Sequence, residues 1–124
     1  MMDNQDLRCA EFGRELSQIT AIDERLLQDA LSVLEEQGLY AFFLYLDARG
    51  KEPGKQMKIK CHDFLRKNAA LKSRLAAATS DVFAVVNKLG QSIDDLLFAR
   101  DLIMQSLVYA RYHVKAMEGT GRRT

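Results

Sequence analysis

Apolar residues recur along this chain at intervals of three and four, and no stretch of useful length alternates as a strand would. That spacing is the helical period. Leu7, Phe12, Leu16 and Ile19 form a loose stripe, so residues 3–20 are expected as a first helix with Asp3 as N-cap. Thr20 is expected to cap a second helix, with Asp23 three residues on as in a capping box. Its stripe is Ile22, Leu26, Leu27, Ala30, Leu31 and Leu34. Gly38 ends it, because glycine tolerates the left-handed backbone at a helix C-terminus.

Residues 39–49 are apolar almost all round, through Leu39, Tyr40, Phe42, Phe43, Leu44, Tyr45 and Leu46. A helix of that kind sits centrally, with neighbours on several sides. Gly50 ends it, and residues 50–54 (GKEPG) read as the clearest loop of the chain. Residues 55–68 are a two-faced helix with Met57, Cys61, Phe64 and Leu65 on its apolar side. Lys51 leads into Lys55, Lys58, His62 and Arg66, a row kept on one side by steps of three and four. Lys60 and Lys67 are expected to flank it.

Residues 69–78 favour helix through their Ala, Leu and Lys content. Ser80 is expected to start a helix that runs to Leu89 and stops at Gly90. Ser92 and Asp95 form a capping box for the longest helix, residues 93–118. Ile93, Leu96, Leu97, Ile103, Met104, Leu107, Val108, Val114 and Met117 supply its apolar side. The expectation is an all-α, compact bundle of about five to seven helices. Residues 1–118 form its single domain, and residues 119–124 a flexible C-terminal tail.

A length of 124 residues suits one core, since two would each be too small. An apolar share of 48% is that of a folded protein. No apolar run nears the ~20 residues of a membrane span. The start of the chain lacks the basic end and apolar centre of a secretory leader. No membrane partner and a cytoplasmic location are expected. Cys9 and Cys61 stand far apart without a CxxC pair, and read as two small core residues.

Charge changes this picture most. Three bases against ten acids leave residues 1–48 at −7. Nine bases against two acids leave residues 49–74 at +7, and the remainder is nearly neutral. Such segregation suits a polyanion partner, self-association through opposite charges, or both. The row of cations can neutralise phosphates without reading sequence. Lys51, Lys55, Lys58, Lys60, Arg66 and Lys67 are therefore the candidate nucleic-acid-binding residues. Reversing the charge at Lys55 and Lys58 is expected to weaken binding without unfolding the domain. The plainer account of such a row is a solvated helix face. Phe42, Phe43 and Phe64 lie on apolar faces and read as core rather than base-stacking rings.

Chemistry elsewhere is sparse. Cys61 and His62 are adjacent and point about 100° apart on a helix, so they do not share a metal. No phosphate loop or nucleophile elbow is present. Paired acids such as Asp94 and Asp95, or Glu35 and Glu36, diverge as surface groups. A helical ribonuclease of the HEPN type wants an Arg four to six residues before a His. Arg111 stands too near His113 for that and Arg100 too far. No cofactor, metal or catalytic group is expected.

The order of features resembles one family. An apolar helix ends in glycine, and an aromatic-rich helix follows in GLYAFFLYLDARGKE, residues 38–52. A basic helix comes next, and the chain closes with FARDLIMQSLVYARYHVKAME, residues 98–118. This is similar to the small α-helical subunit of type III-B (Cmr) CRISPR RNA-guided effector complexes. Gly38, Leu39, Phe42, Phe43, Leu46, Gly50 and Lys51 fit that family's G-L-x-x-A-hydrophobic pattern ending in G-K approximately. Tyr109, Arg111, Tyr112, Lys115 and Ala116 fit its closing helix loosely. The resemblance implies a non-catalytic subunit that stacks with copies of itself and with other effector subunits. It also implies that a basic face lines the path of guide or target RNA. A protein-only adaptor or homo-oligomer is the alternative.

Overall fold

The computed structural model describes residues 4–75 and 81–119. Among them are seven helices and no strand. The helices are α1 (Gln5–Ser17), α2 (Glu24–Gln37), α3 (Leu39–Arg49), α4 (Lys51–Lys67), α5 (Lys72–Leu75), α6 (Val82–Leu89) and α7 (Ile93–Gly119). The all-α bundle expected from the apolar period is the observed architecture. Asp3, Ser80 and the tail from residue 120 lie outside the described residues.

α7 is the spine, packed against α1, α2 and α6. Small residues make its closest contact. A Cβ on Gly13 of α1 would stand 2.6 Å from Tyr109 Cβ and 2.7 Å from the Ser106 carbonyl oxygen. Ser106 and Ala110 are fully buried against this seam. Ser106 returns its hydroxyl to the Leu102 carbonyl at 2.7 Å, so no polar group is left without a partner there. Ala99, Leu102 and Ala110 join the core, whereas Ile93, Leu97 and Val108 of the expected apolar side face outward. The stripe along α7 is thus rotated toward its small residues.

Asp23, not Thr20, caps α2, accepting the Leu26 N–H at 2.8 Å. Ala21 turns the chain with φ 66°, which leaves both Ile19 and Ile22 buried in the connection. Ile22 and Leu27, each fully buried, occupy the two staple positions around that cap. Gly38 joins α2 to α3 in one residue. Its φ of 96° with ψ of −175° is a conformation open essentially to glycine alone.

The expected loop at residues 50–54 is instead the start of α4. The Gly50 carbonyl accepts the Gly54 N–H at 2.8 Å. Pro53 falls in the first turn, where an N–H has no helical partner to lose. The two glycines serve a close approach. A Cβ on either would come within 2.8 Å of the Leu46 carbonyl oxygen at the end of α3. Lys51 takes the turn between the helices with φ 53°, a strained value for a residue with a Cβ.

Residues 69–78 were expected to be helical, yet only the four residues of α5 are so among those described. Asn68 breaks the chain first. Its buried side chain accepts the Ala70 N–H at 2.9 Å and donates to Gln5 at 3.0 Å. That local bond competes with helix continuation. Asp81, with bonds to the Phe83 and Ala84 N–H groups, caps α6. The Ser92 hydroxyl accepts the Asp95 N–H at 3.3 Å, as the capping box requires, while the Asp95 carboxylate turns to Arg74 at 3.1 Å.

Candidate nucleic-acid interface

α4 carries all six candidate cations, and its register divides them. Met57, Cys61 and Leu65 are fully buried and fix the inward face. At about 100° per residue, Lys51, Lys55, Lys58, His62 and Arg66 fall within about 80° of one another. Lys60 and Lys67 lie about 120–180° round the helix from most of that row, so they do not flank it. Glu52, Gln56, Ile59 and Asp63 occupy the strip between. Gln56 donates to Glu52 at 3.2 Å, and Ile59 stands 54% exposed. One basic face is therefore two basic edges with a mixed ridge between them.

The two edges meet different neighbours. On the first, Lys58 Nζ donates to both Asp47 oxygens at 3.0 and 2.9 Å, and stands 5.3 Å from the centre of the Phe83 ring. Lys51 and Lys55 are exposed and have no ion-pair partner among the described residues. Arg66, at the far end, lies 3.8 Å from Asp63 on its own helix. Lys51 to Arg66 spans about 22 Å of helix axis. On the second edge, Lys60 pairs with Glu15 of α1 at 3.2 Å. Lys67 and Arg8 rim a groove of about 210 Å³ between α1 and α4, opposite Glu11 and Glu15. Two carboxylates there offset two cations, so the second edge attracts an anion less than the first.

His62 sits within the first edge, half-buried, with Nε2 buried and without a hydrogen-bond partner among the described residues. Burial lowers its pKa from 6.5, and the Arg66 guanidinium works in the same direction. The imidazole is therefore held neutral, so His62 interrupts the row's charge rather than extending it. Cys61 beside it is fully buried, and burial pushes its thiol far up.

An aromatic pair not expected at this place completes the first edge. Tyr40 of α3 meets Phe83 of α6 with ring centroids 4.9 Å apart, and Phe83 is the ring under Lys58. Tyr40 remains 50% exposed. The signal was present, since Tyr40 and Asp47 are seven residues apart and share a side of α3. What the residues could not tell was that α6 would meet them there. Phe42 and Phe43 are core as expected, and Phe64 stacks on Phe12 at 4.1 Å.

Arg111, near His113 in α7, is tied to α2 by an ion pair. The Arg111 guanidinium reaches Glu24 at 3.2 Å, and Lys115 approaches the same carboxylate oxygen at 3.6 Å. No three His, Cys, Asp or Glu side chains among the described residues come together to hold a metal ion. No helix there is long and apolar enough to cross a membrane. Neither a protein-family model, a curated protein nor a solved structure matches the chain.

Proposed function

We propose that the chain is a non-catalytic small subunit of a type III CRISPR effector ribonucleoprotein. It contacts the guide or target RNA backbone along the first edge of α4. The observation that carries this reading is that Lys51 and Lys55, exposed and without ion-pair partners among the described residues, share an edge of α4 with Lys58, whose neighbour Phe83 also meets the half-exposed Tyr40 ring. Unpaired cations release counterions from phosphates, and an exposed ring stacks an unpaired base without reading it. The order of the helices and the residues 38–52 and 98–118 supply the link to the family.

The test is affinity purification of tagged chain from its host, with and without ribonuclease. Short RNAs of uniform length with several larger proteins are the expected yield. In vitro, Lys51→Glu with Lys55→Glu should weaken single-stranded RNA binding and flatten its salt dependence. Tyr40→Ala should weaken binding with the salt slope unchanged. RNA-free material under both purification conditions would overturn the reading.

A second reading, a helical adaptor or homo-oligomer that meets only protein, has its own support. Lys58, Lys60 and Arg66 are already paired with the chain's own Asp47, Glu15 and Asp63. Association unaffected by ribonuclease and by the Lys51 and Lys55 reversals would favour it.

A further inference from the structure

Among the described residues, no helix covers the outer face of α7. Its neighbours α1, α2 and α6 all pack on the side marked by Leu102, Ile103, Ser106, Leu107, Ala110 and Val114. Opposite that side run Asp101, Met104, Val108, Tyr112 and Lys115. At 100° per residue these five fall within an arc of about 80°, the 101–115 stretch of a seam that Leu97 and Asp94 continue toward the start of the helix. Val108 is 36% and Tyr112 67% exposed, and Met104 is half-buried.

The order within that seam is its informative property. Counted outward from Val108, the residues four away are Met104 and Tyr112, both large and apolar in body. The residues seven away are Asp101 and Lys115, of opposite charge. The seam is a palindrome in size and an antipalindrome in charge. A second copy laid antiparallel across it, with the two-fold axis at Val108, meets itself residue for residue. Val108 faces Val108, Met104 faces Tyr112, and each Asp101 faces the other copy's Lys115. A parallel pairing would set Asp101 on Asp101 and Lys115 on Lys115. Asp101 has no ion pair among the described residues, and Lys115, 61% exposed, is held only at 3.6 Å from Glu24.

We propose that the occupant of this face is a second copy of the chain, in a closed, two-fold, antiparallel α7–α7 dimer. The seam from Asp101 to Lys115 is about 21 Å long. One helix face of that length buries less than the roughly 1,200 Å² in total of a standard stable interface. The dimer is therefore weak, concentration-dependent and salt-sensitive through its two reciprocal ion pairs. α4 is not among α7's main neighbours. Covering the seam leaves the basic edge open, so the dimer of the isolated chain does not depend on whether α4 binds RNA.

Sedimentation equilibrium on the full chain, from micromolar to millimolar and at low and high salt, tests it. The expected result is a monomer–dimer equilibrium that goes no further and weakens with salt. Val108→Glu should abolish the dimer while circular dichroism stays that of a folded bundle. Asp101→Lys and Lys115→Asp should each weaken association at least tenfold, and the two together should restore it, because the swap is self-complementary only in the antiparallel register. The charge swaps keep the test decisive if Val108→Glu disturbs folding. A monomer throughout, growth beyond the dimer, or a double swap no better than the singles would overturn the proposal.

Discussion

Lys58 of α4 reaches back to Asp47 of α3 and donates to both of its carboxylate oxygens, at 3.0 and 2.9 Å, while standing 5.3 Å from the centre of the Phe83 ring. One side chain thus ties three helices at the corner where α3 turns into α4. The pair is about one-third exposed, so solvent screens it only in part. An ion pair at that exposure contributes about 0.5–1 kcal/mol, and the ring contact about as much again. Lys58→Met is expected to cost about 1 kcal/mol and lower the thermal midpoint by about 4 °C. Combined with Asp47→Asn it should cost less than the sum of the two single changes. Additive losses would mean the pair is idle. Lys58→Glu sets a carboxylate against Asp47. The expectation that reversal at Lys55 and Lys58 leaves the fold untouched is therefore kept only for Lys55.

The approach of α1 to α7 rests on the missing side chain of Gly13. Alanine is the better helix former by about 1 kcal/mol, so on propensity alone Gly13→Ala should stabilise. The new Cβ, however, would meet the Ser106 carbonyl oxygen at 2.7 Å and the Ala110 nitrogen at 2.9 Å, both backbone atoms that cannot swing aside. Overpacking of that kind costs about 1–3 kcal/mol or more. The clash is expected to win, with a net loss of about 2 kcal/mol and a fall of about 8 °C in thermal midpoint. A stabilised Gly13→Ala variant would show that the two helices do not meet so closely.

Legibility in the sequence followed the physics of each segment. α3 was bounded correctly at residues 39–49 because a glycine brackets each end and its interior has no competing polar turn. At the start of α4 the sequence is ambiguous, because Gly and Pro act in two ways. They make loops, but they also fit a first turn that presses on a neighbouring carbonyl. Lys60 and Lys67 belong to the same run of bases, but the 100° step of the helix carries them away from the row. The −7 and +7 blocks read as attraction to a partner, yet Lys58 and Lys60 show that part of it is satisfied inside the chain, the latter across 45 residues to Glu15. Spacing along a helix tells which side chains share an edge. It cannot tell which acids another helix brings to that edge, nor that Tyr40 would lie beside Phe83.

Cys9 and Cys61 are both buried to 1% exposure or less, and Cys9 donates weakly to the Leu102 carbonyl at 3.5 Å. Burial also keeps the Cys61 thiol from ionising. Thiolate is the reactive form, so both groups should resist labelling until the chain opens. With a disulfide reagent at pH 8, the native protein is expected to react about a thousandfold more slowly than the protein in denaturant. Rapid modification of one native thiol would place it in a surface pocket rather than in the core.

His62 gives the fold an acid-side weakness whose sign follows from its surroundings. Burial lowers its pKa, and Arg66 and Lys58 add to that, against the smaller opposite pull of Asp63 and Asp81. Among the described residues its buried Nε2 has no acceptor that would reward protonation. The folded pKa therefore lies below the unfolded value of 6.5. Well above pH 6.5, from about pH 7.5, the imidazole is neutral in both states and contributes no slope. As pH falls below 6.5 the unfolded chain takes up a proton that the folded one refuses, so stability drops until the folded pKa is passed. His62→Gln removes that proton uptake. Urea unfolding at pH 7.5, 6.5, 5.5 and 5.0 should show wild type losing stability faster than His62→Gln over the lower interval. The difference between them should be constant above about pH 7.5. A difference constant across the whole range would mean that His62 protonates as easily in the fold as in the open chain.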